Sequence, residues 1–240
     1  TDTVYVTSET FSEIDPKPES WLNKDAFLKV EKLAAISLVS TNATNSWSLS
    51  RTNESSDWVL LDPREGEEVD KGKVGSFNWA FSSPSFNDVF AKDAEAVKDA
   101  FDGPTTLQMR TFDGFSYDVK VGSQPDADSF YVAINAGGEL AKERVVPADE
   151  KPEDKEKNDT AWKEQQDKLK EKLKKEQALA PWVFKVAKWT VDSVLKDRAA
   201  LLAEKKPEGE AAGAAEVLPS PGLDTGVPPF LAPPLPGVPE

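Results

Sequence analysis

The stretch Phe101–Asn135, FDGPTTLQMRTFDGFSYDVKVGSQPDADSFYVAIN, reads as three strands in succession: Thr105 to Thr111, Phe115 to Val121 and Ser129 to Asn135. Between the first two stands Asp113-Gly114. An Asp-Gly pair between alternating apolar runs signals a tight hairpin, because both residues tolerate the positive φ of a primed turn. Apolar side chains recur at every second position, at Leu107 and Met109 and then at Phe115, Tyr117, Val119 and Val121, so the strands share one apolar face. A β meander is the expected outcome. No grouping of residues on it could perform chemistry, so the stretch decides architecture rather than function.

Composition narrows the remaining choices. A chain of 240 residues can bury a sizeable core without staples, and it carries no cysteine, hence no disulfide, thiolate metal site or thiol catalyst. It also carries no histidine, the commonest metal ligand and the commonest general base near neutrality. Catalysis would rest on carboxylates, lysine, serine or tyrosine. With 43 acidic against 29 basic residues the net charge is -14, which opposes nucleic-acid binding, since that affinity comes from lysine and arginine displacing counterions from phosphates. No run of eighteen apolar residues is present, so the segment is not expected to insert in a membrane. Thr1 begins without methionine or signal, as a trimmed ectodomain would.

Upstream of the meander, TVYVTSETFSEI reads as a short strand running into a short helix, and SWLNKDAFLKVEKL as a second short helix or turn. From Ala35 the runs ISLVS, SWSLSR and DWVLLD, separated by Asn- and Ser-rich turns, predict a second antiparallel meander. Its large apolar residues are Trp47 and Trp58. They are read either as a sugar-stacking platform or, more simply, as buried core area. The loop DPREGEEVD gathers Asp62, Glu65, Glu67, Glu68 and Asp70 but lacks the alternating Asp/Asn ladder and a turn glycine at calcium-loop spacing, so a solvated acidic loop is expected, with Asp70 capping the next helix. That helix, in KGKVGSFNWAFSS, puts Val74, Phe77 and Phe81 on one face. SFNDVFAKDAEAVKDAF is expected to be helical too.

Downstream, ADEKPEDKEKND is too charged to bury and reads as an exposed connection. TAWKEQQDKLKEKLKKEQALA follows as a long exposed helix with a narrow stripe of Trp162, Leu169, Leu173 and Ala180, and its basic patch reads as a solvated face. Then come a strand at Val183 to Val186 and a helix carrying Val191, Val194, Leu195 and Leu201. The last stretch, to Glu240, is dense in proline without periodicity, as a disordered or polyproline tail would be, with PPFLAPPLP as a docking motif if it has one.

The two ends echo each other. Val4-Tyr5-Val6 followed by Phe11 and Ile14 is spaced like Phe184-Lys185-Val186 followed by Val191 and Val194, and each series leads to Lys-Asp and a leucine. The expected organisation is therefore residues 1–28 closing a preceding, truncated repeat, residues 32–205 as one α+β repeat unit, and residues 206–240 as the tail. The fold class is α+β: antiparallel meanders packed with short helices, and one long exposed helix.

On ISLVS and the two tryptophan strands, on FDGPTTLQMRTFDGFSYDVKVGSQ followed by FYVAIN, and on WVFKVAKWTVDSVLKDRAALL, the chain resembles a bacterial family catalogued as domain of unknown function 4340. The resemblance spans about residues 1–205 and its motifs are structural. It implies an α+β unit that repeats, usually behind an N-terminal anchor, on the periplasmic side of the bacterial inner membrane, often encoded beside auxiliary parts of transporters linked to gliding motility. This segment departs from that pattern in lacking an anchor and most of a first unit. The family supplies no catalytic residues to carry over.

The leading functional expectation is a noncatalytic, extracytoplasmic interaction or scaffold module with protein partners, with no cofactor, metal or catalytic residue assigned. One rival is a glycan hydrolase using a carboxylate pair among Asp62, Glu65, Asp113 and Asp118, which would need a separation of about 5 to 9 Å across a cleft. Another is a carbohydrate or peptide binder presenting Trp47, Trp58, Trp79 and Trp162 on one accessible face.

Overall fold

Alternation along the meander puts every second side chain on one side of a sheet, and the computed structural model of the chain, which describes residues 22–24 and 27–204, builds that side into the core. The strands are β1 (Leu33–Val39), β2 (Trp47–Ser50), β3 (Val59–Leu60), β4 (Phe86–Ala91), β5 (Thr105–Thr111), β6 (Phe115–Val121), β7 (Ser129–Gly138) and β8 (Trp182–Ala187). The helices are α1 (Lys71–Val74), α2 (Pro152–Gln177), α3 (Trp189–Asp192) and α4 (Arg198–Leu201). The opening strand and helix, the first half of the echo and the proline-rich stretch fall outside the described residues. Phe27 and Leu28, at the end of the segment expected to close a preceding repeat, are buried in the same core as the strands.

The two expected meanders are one sheet. Its eight strands run in the order β3-β2-β1-β5-β6-β7-β8-β4, each antiparallel to its neighbours, and β1 against β5 is the seam. Register carries the apolar alternation across that seam: Trp47 lies opposite Leu38, Leu38 opposite Leu107, Leu107 opposite Val119 and Val119 opposite Ile134. All five are buried. A one-residue slip in any pair would turn the row outward, so core burial holds the register.

The hairpin is where the sequence places it, but its turn differs. Gly114 has φ 88° and Asp113 does not enter the positive region, and the Gly114 N–H donates to the Thr111 carbonyl. The connection is three residues long, with one left-handed glycine rather than a primed two-residue turn. Glycine is required on steric grounds as well, since a Cβ there would stand 2.3 Å from the Glu139 carbonyl oxygen.

Three expectations change. The helix expected to carry Val191, Val194, Leu195 and Leu201 is two short ones, α3 and α4, with Val194 and Leu195 between them. Phe86–Ala91 is strand, not helix: β4 pairs with β8, and Phe86 packs with Phe27 and Phe184 at ring-centroid distances of 4.9 and 5.2 Å. Phe86 and Phe90 fit helical spacing as well as they fit a strand, and pairing with β8 decides between them. The charged stretch before the long helix is largely inside it. α2 starts at Pro152, the first-turn position that proline tolerates, with Glu153 and Asp154 favoured by the positive end of the helix.

Candidate interaction surface

The tryptophans do not assemble a platform. Trp47 is 1% exposed, stacks on Phe77 at 5.3 Å and donates its indole N–H to the Lys196 carbonyl at 2.7 Å. Trp58 is also buried; its indole donates to Asn78 and the Arg51 guanidinium lies over its ring. Trp79 is 75% exposed and Trp162 half-buried on α2. Two of the four candidates are therefore core residues, which corrects the shared accessible face: their area is worth more removed from water than held in it.

The four candidate acids are dispersed as well. Asp62 accepts from Arg198 beside the end of β3, Asp113 pairs with Lys32 at the β5–β6 turn, Glu65 is exposed in the acidic loop and Asp118 stands in the middle of β6. The acidic loop is not merely solvated. Glu67 and Asp62 grip the buried Arg198 of α4, and Arg198 with the Arg64 N–H holds the Glu67 carboxyl at about 2, below the usual carboxylate range. Asp70 caps α1 as expected, accepting from the N–H groups of Gly72 and Lys73. Among the described residues no group of three acids stands as a metal cluster.

Among the described residues one acid is buried. Glu176, 3% exposed near the end of α2, accepts from the Tyr117 hydroxyl at 2.8 Å through Oε2 and from the Lys29 N–H at 3.1 Å through Oε1. Burial pushes its carboxyl up, while the Lys29 N–H and the Lys172 ammonium pull the other way. Burial and the Glu176 charge raise the Tyr117 hydroxyl. Both oxygens are engaged, and the neighbouring Glu31 is half-exposed and paired with Lys29 and Lys172. The group fastens α2 to β6 and to the segment leading into β1. It does not present two shielded acids to a substrate.

The other face of the sheet holds a different arrangement. Its rows follow the same register, shifted by one residue: Ser37 opposite Gln108, Gln108 opposite Asp118 and Asp118 opposite Asn135, across β1, β5, β6 and β7. Thr106 and Lys120 form the adjoining row. Beyond them the face is closed by the segment from β4 to β5, whose Val97 and Ala100 pack on Ala133 and Val183. That segment is pinned where the Ser123 N–H donates to the Ala100 carbonyl; Gly122 leaves room for that carbonyl, which a Cβ would meet at 2.3 Å. Between segment and strands runs a groove of about 780 Å³.

Among the described residues the side chains of Thr106, Gln108, Asp118, Lys120 and Asn135 make no intrachain hydrogen bond or ion pair. Every polar contact traced above holds the fold together, whereas these five are free for something else. Their positions were legible as the polar half of the strand alternation; that five of them adjoin in one groove depends on the register of four strands. Compared with family models, curated proteins and solved structures, the chain matches none.

Proposed function

We propose that the unit is a noncatalytic interaction module whose working surface is the open polar face of its sheet. The observation that carries this is the contrast in polar side chains: Arg198, Arg144 and Glu176 are committed to internal clasps, while Gln108, Asp118 and Asn135 stand uncommitted on one surface. Side chains that stabilise nothing in their own fold are the ones available for recognition. Among the described residues no helix is long and apolar enough to cross a membrane. Placement on the extracytoplasmic side, as an accessory to a transporter or gliding-type envelope machinery, rests on the family resemblance.

Affinity capture of the native protein from crosslinked cells tests the reading, comparing wild type with Arg110→Glu/Ser116→Arg on the exposed face and with Lys170→Glu on α2. Partners lost only in the face variant are the expected result. Equal capture by all three would remove the face as the working surface.

A further inference from the structure

The groove has a chemistry as well as a place. Gln108 and Asn135 each offer a donor and an acceptor in one plane, Asp118 offers acceptors, Lys120 and Thr106 add donors along the next row, and Lys92 and Lys98 add ammonium donors to the lining. Neighbouring strands lie about 4.8 Å apart, so these groups repeat across the floor at close to the length of one sugar ring. Phe101 forms a half-buried aromatic wall at one side. The volume of about 780 Å³ falls in the range of sites that enclose small ligands.

A peptide fits this site less well. Strand addition needs an unpaired edge, and β5, β6 and β7 are each paired on both sides. The two outer strands are blunted: β3 is two residues long, and β4 carries a bulge between Phe86 and Asp88, with the Asp88 carboxylate accepting from the Val89 N–H. The floor itself presents polar side chains in adjacent rows, and the apolar lining, Val97, Phe101, Ala133 and Val183, lies along one side rather than at alternate positions. Hydroxyl-rich ligands that both donate and accept, and that offer a C–H face to an aromatic ring, match what is there.

We infer that the groove floored by Gln108, Asp118 and Asn135 and walled by Phe101 binds a short oligosaccharide. The inference rests on the interaction-module reading and names its ligand, and it moves carbohydrate recognition from the tryptophans to the sheet. Phe101 supplies the stacking surface; the amides and Asp118 fix the hydroxyls.

Isothermal titration of the full chain with chitotetraose, cellotetraose and mannotetraose tests it, each variant being checked for an unchanged melting transition. At least one of these should bind saturably, Gln108→Ala/Asn135→Ala should weaken it by about tenfold or more, Phe101→Leu several-fold, and Trp79→Ala not at all. The inference is overturned if none of the three binds, or if binding survives the double substitution. Crosslinked capture separates the two readings. If the double variant loses protein partners while no oligosaccharide binds, the face docks protein and only the ligand assignment fails. If substitutions across the face change neither, the module reading fails with it.

Discussion

The two faces of this sheet are made by the same strands, one residue out of phase, and they differ in what their side chains do. On the packed face Trp47, Leu107, Tyr117 and Ile134 are almost wholly buried, and the Tyr117 hydroxyl is satisfied by Glu176. On the open face Gln108, Asp118 and Asn135 are exposed and unpaired. Stability is concentrated on one side and freedom to bind on the other, so substitutions of equal size should separate cleanly by face.

The largest expected effect is on the packed side. Trp47→Ala removes a buried ring and leaves the Lys196 carbonyl without its donor, and should cost about 3–5 kcal/mol in urea denaturation. Trp79→Ala, at a residue 75% exposed, should move stability by less than about 0.5 kcal/mol. Equal losses would erase the contrast between core and surface tryptophans.

Next comes the clasp between sheet and helix. Tyr117→Phe takes a donor from the buried Glu176 carboxylate and should cost about 1–3 kcal/mol. Adding Glu176→Leu should return part of that loss, because the orphaned acid goes with its partner. A double variant no more stable than Tyr117→Phe alone would mean that the bond from the Lys29 N–H to Glu176 outweighs the relief of the orphaned acid.

The same acid sets a pH dependence. Burial raises the Glu176 carboxyl above its unfolded value, so the folded chain holds that proton more tightly. The corresponding stability is complete below the usual carboxylate range and is lost as pH rises through the raised value. Glu150 runs the opposite way. Arg144, with help from Asn158, holds its carboxyl at about 2, so its contribution is present above the usual carboxylate range and is lost as pH falls toward that value. Denaturation midpoints across a pH series should show Glu176→Gln flattening the first slope and Glu150→Gln the second. Interchanged effects would contradict the assignment.

A smaller effect is expected at the helix cap: Asp70→Ala should cost about 1 kcal/mol through the lost bonds to Gly72 and Lys73. The smallest belongs to the open face. Gln108→Ala and Asn135→Ala should each stay within about 0.5 kcal/mol of wild type, measured by the same denaturation. A larger loss there would show that these side chains support the fold after all.

Much of the framework was legible because it is written in short-range rules. β5 and β6 have the boundaries that alternation predicts, Gly114 sits in the turn, and Asp70 caps α1. Trp47 and Trp58 proved to be core, the simpler of their two readings. What failed failed for reasons of context. Phe86 to Ala91 carries an ambiguous apolar spacing that β8 resolves in favour of strand. The start of α2 lay hidden in a charge-rich stretch; Arg144 bridging Glu150 and Asp159 ties the chain down there. The candidate site was invisible as a site because Thr106, Lys120 and Asn135 look like ordinary solvent-facing strand residues until their strands are placed side by side.

By itself, then, the sequence determined the alternation, the turns, the cap, the absence of thiol and imidazole chemistry and the α+β class, since each depends on a residue and its near neighbours or on composition. Only the tertiary structure decided that two meanders fuse into one sheet through β1 and β5, that Glu176 reaches a tyrosine 59 positions away, and that one sheet face is left open. Those outcomes depend on which distant segments bury one another, and a pattern of period two is the same whether its polar side meets water, a helix or a ligand.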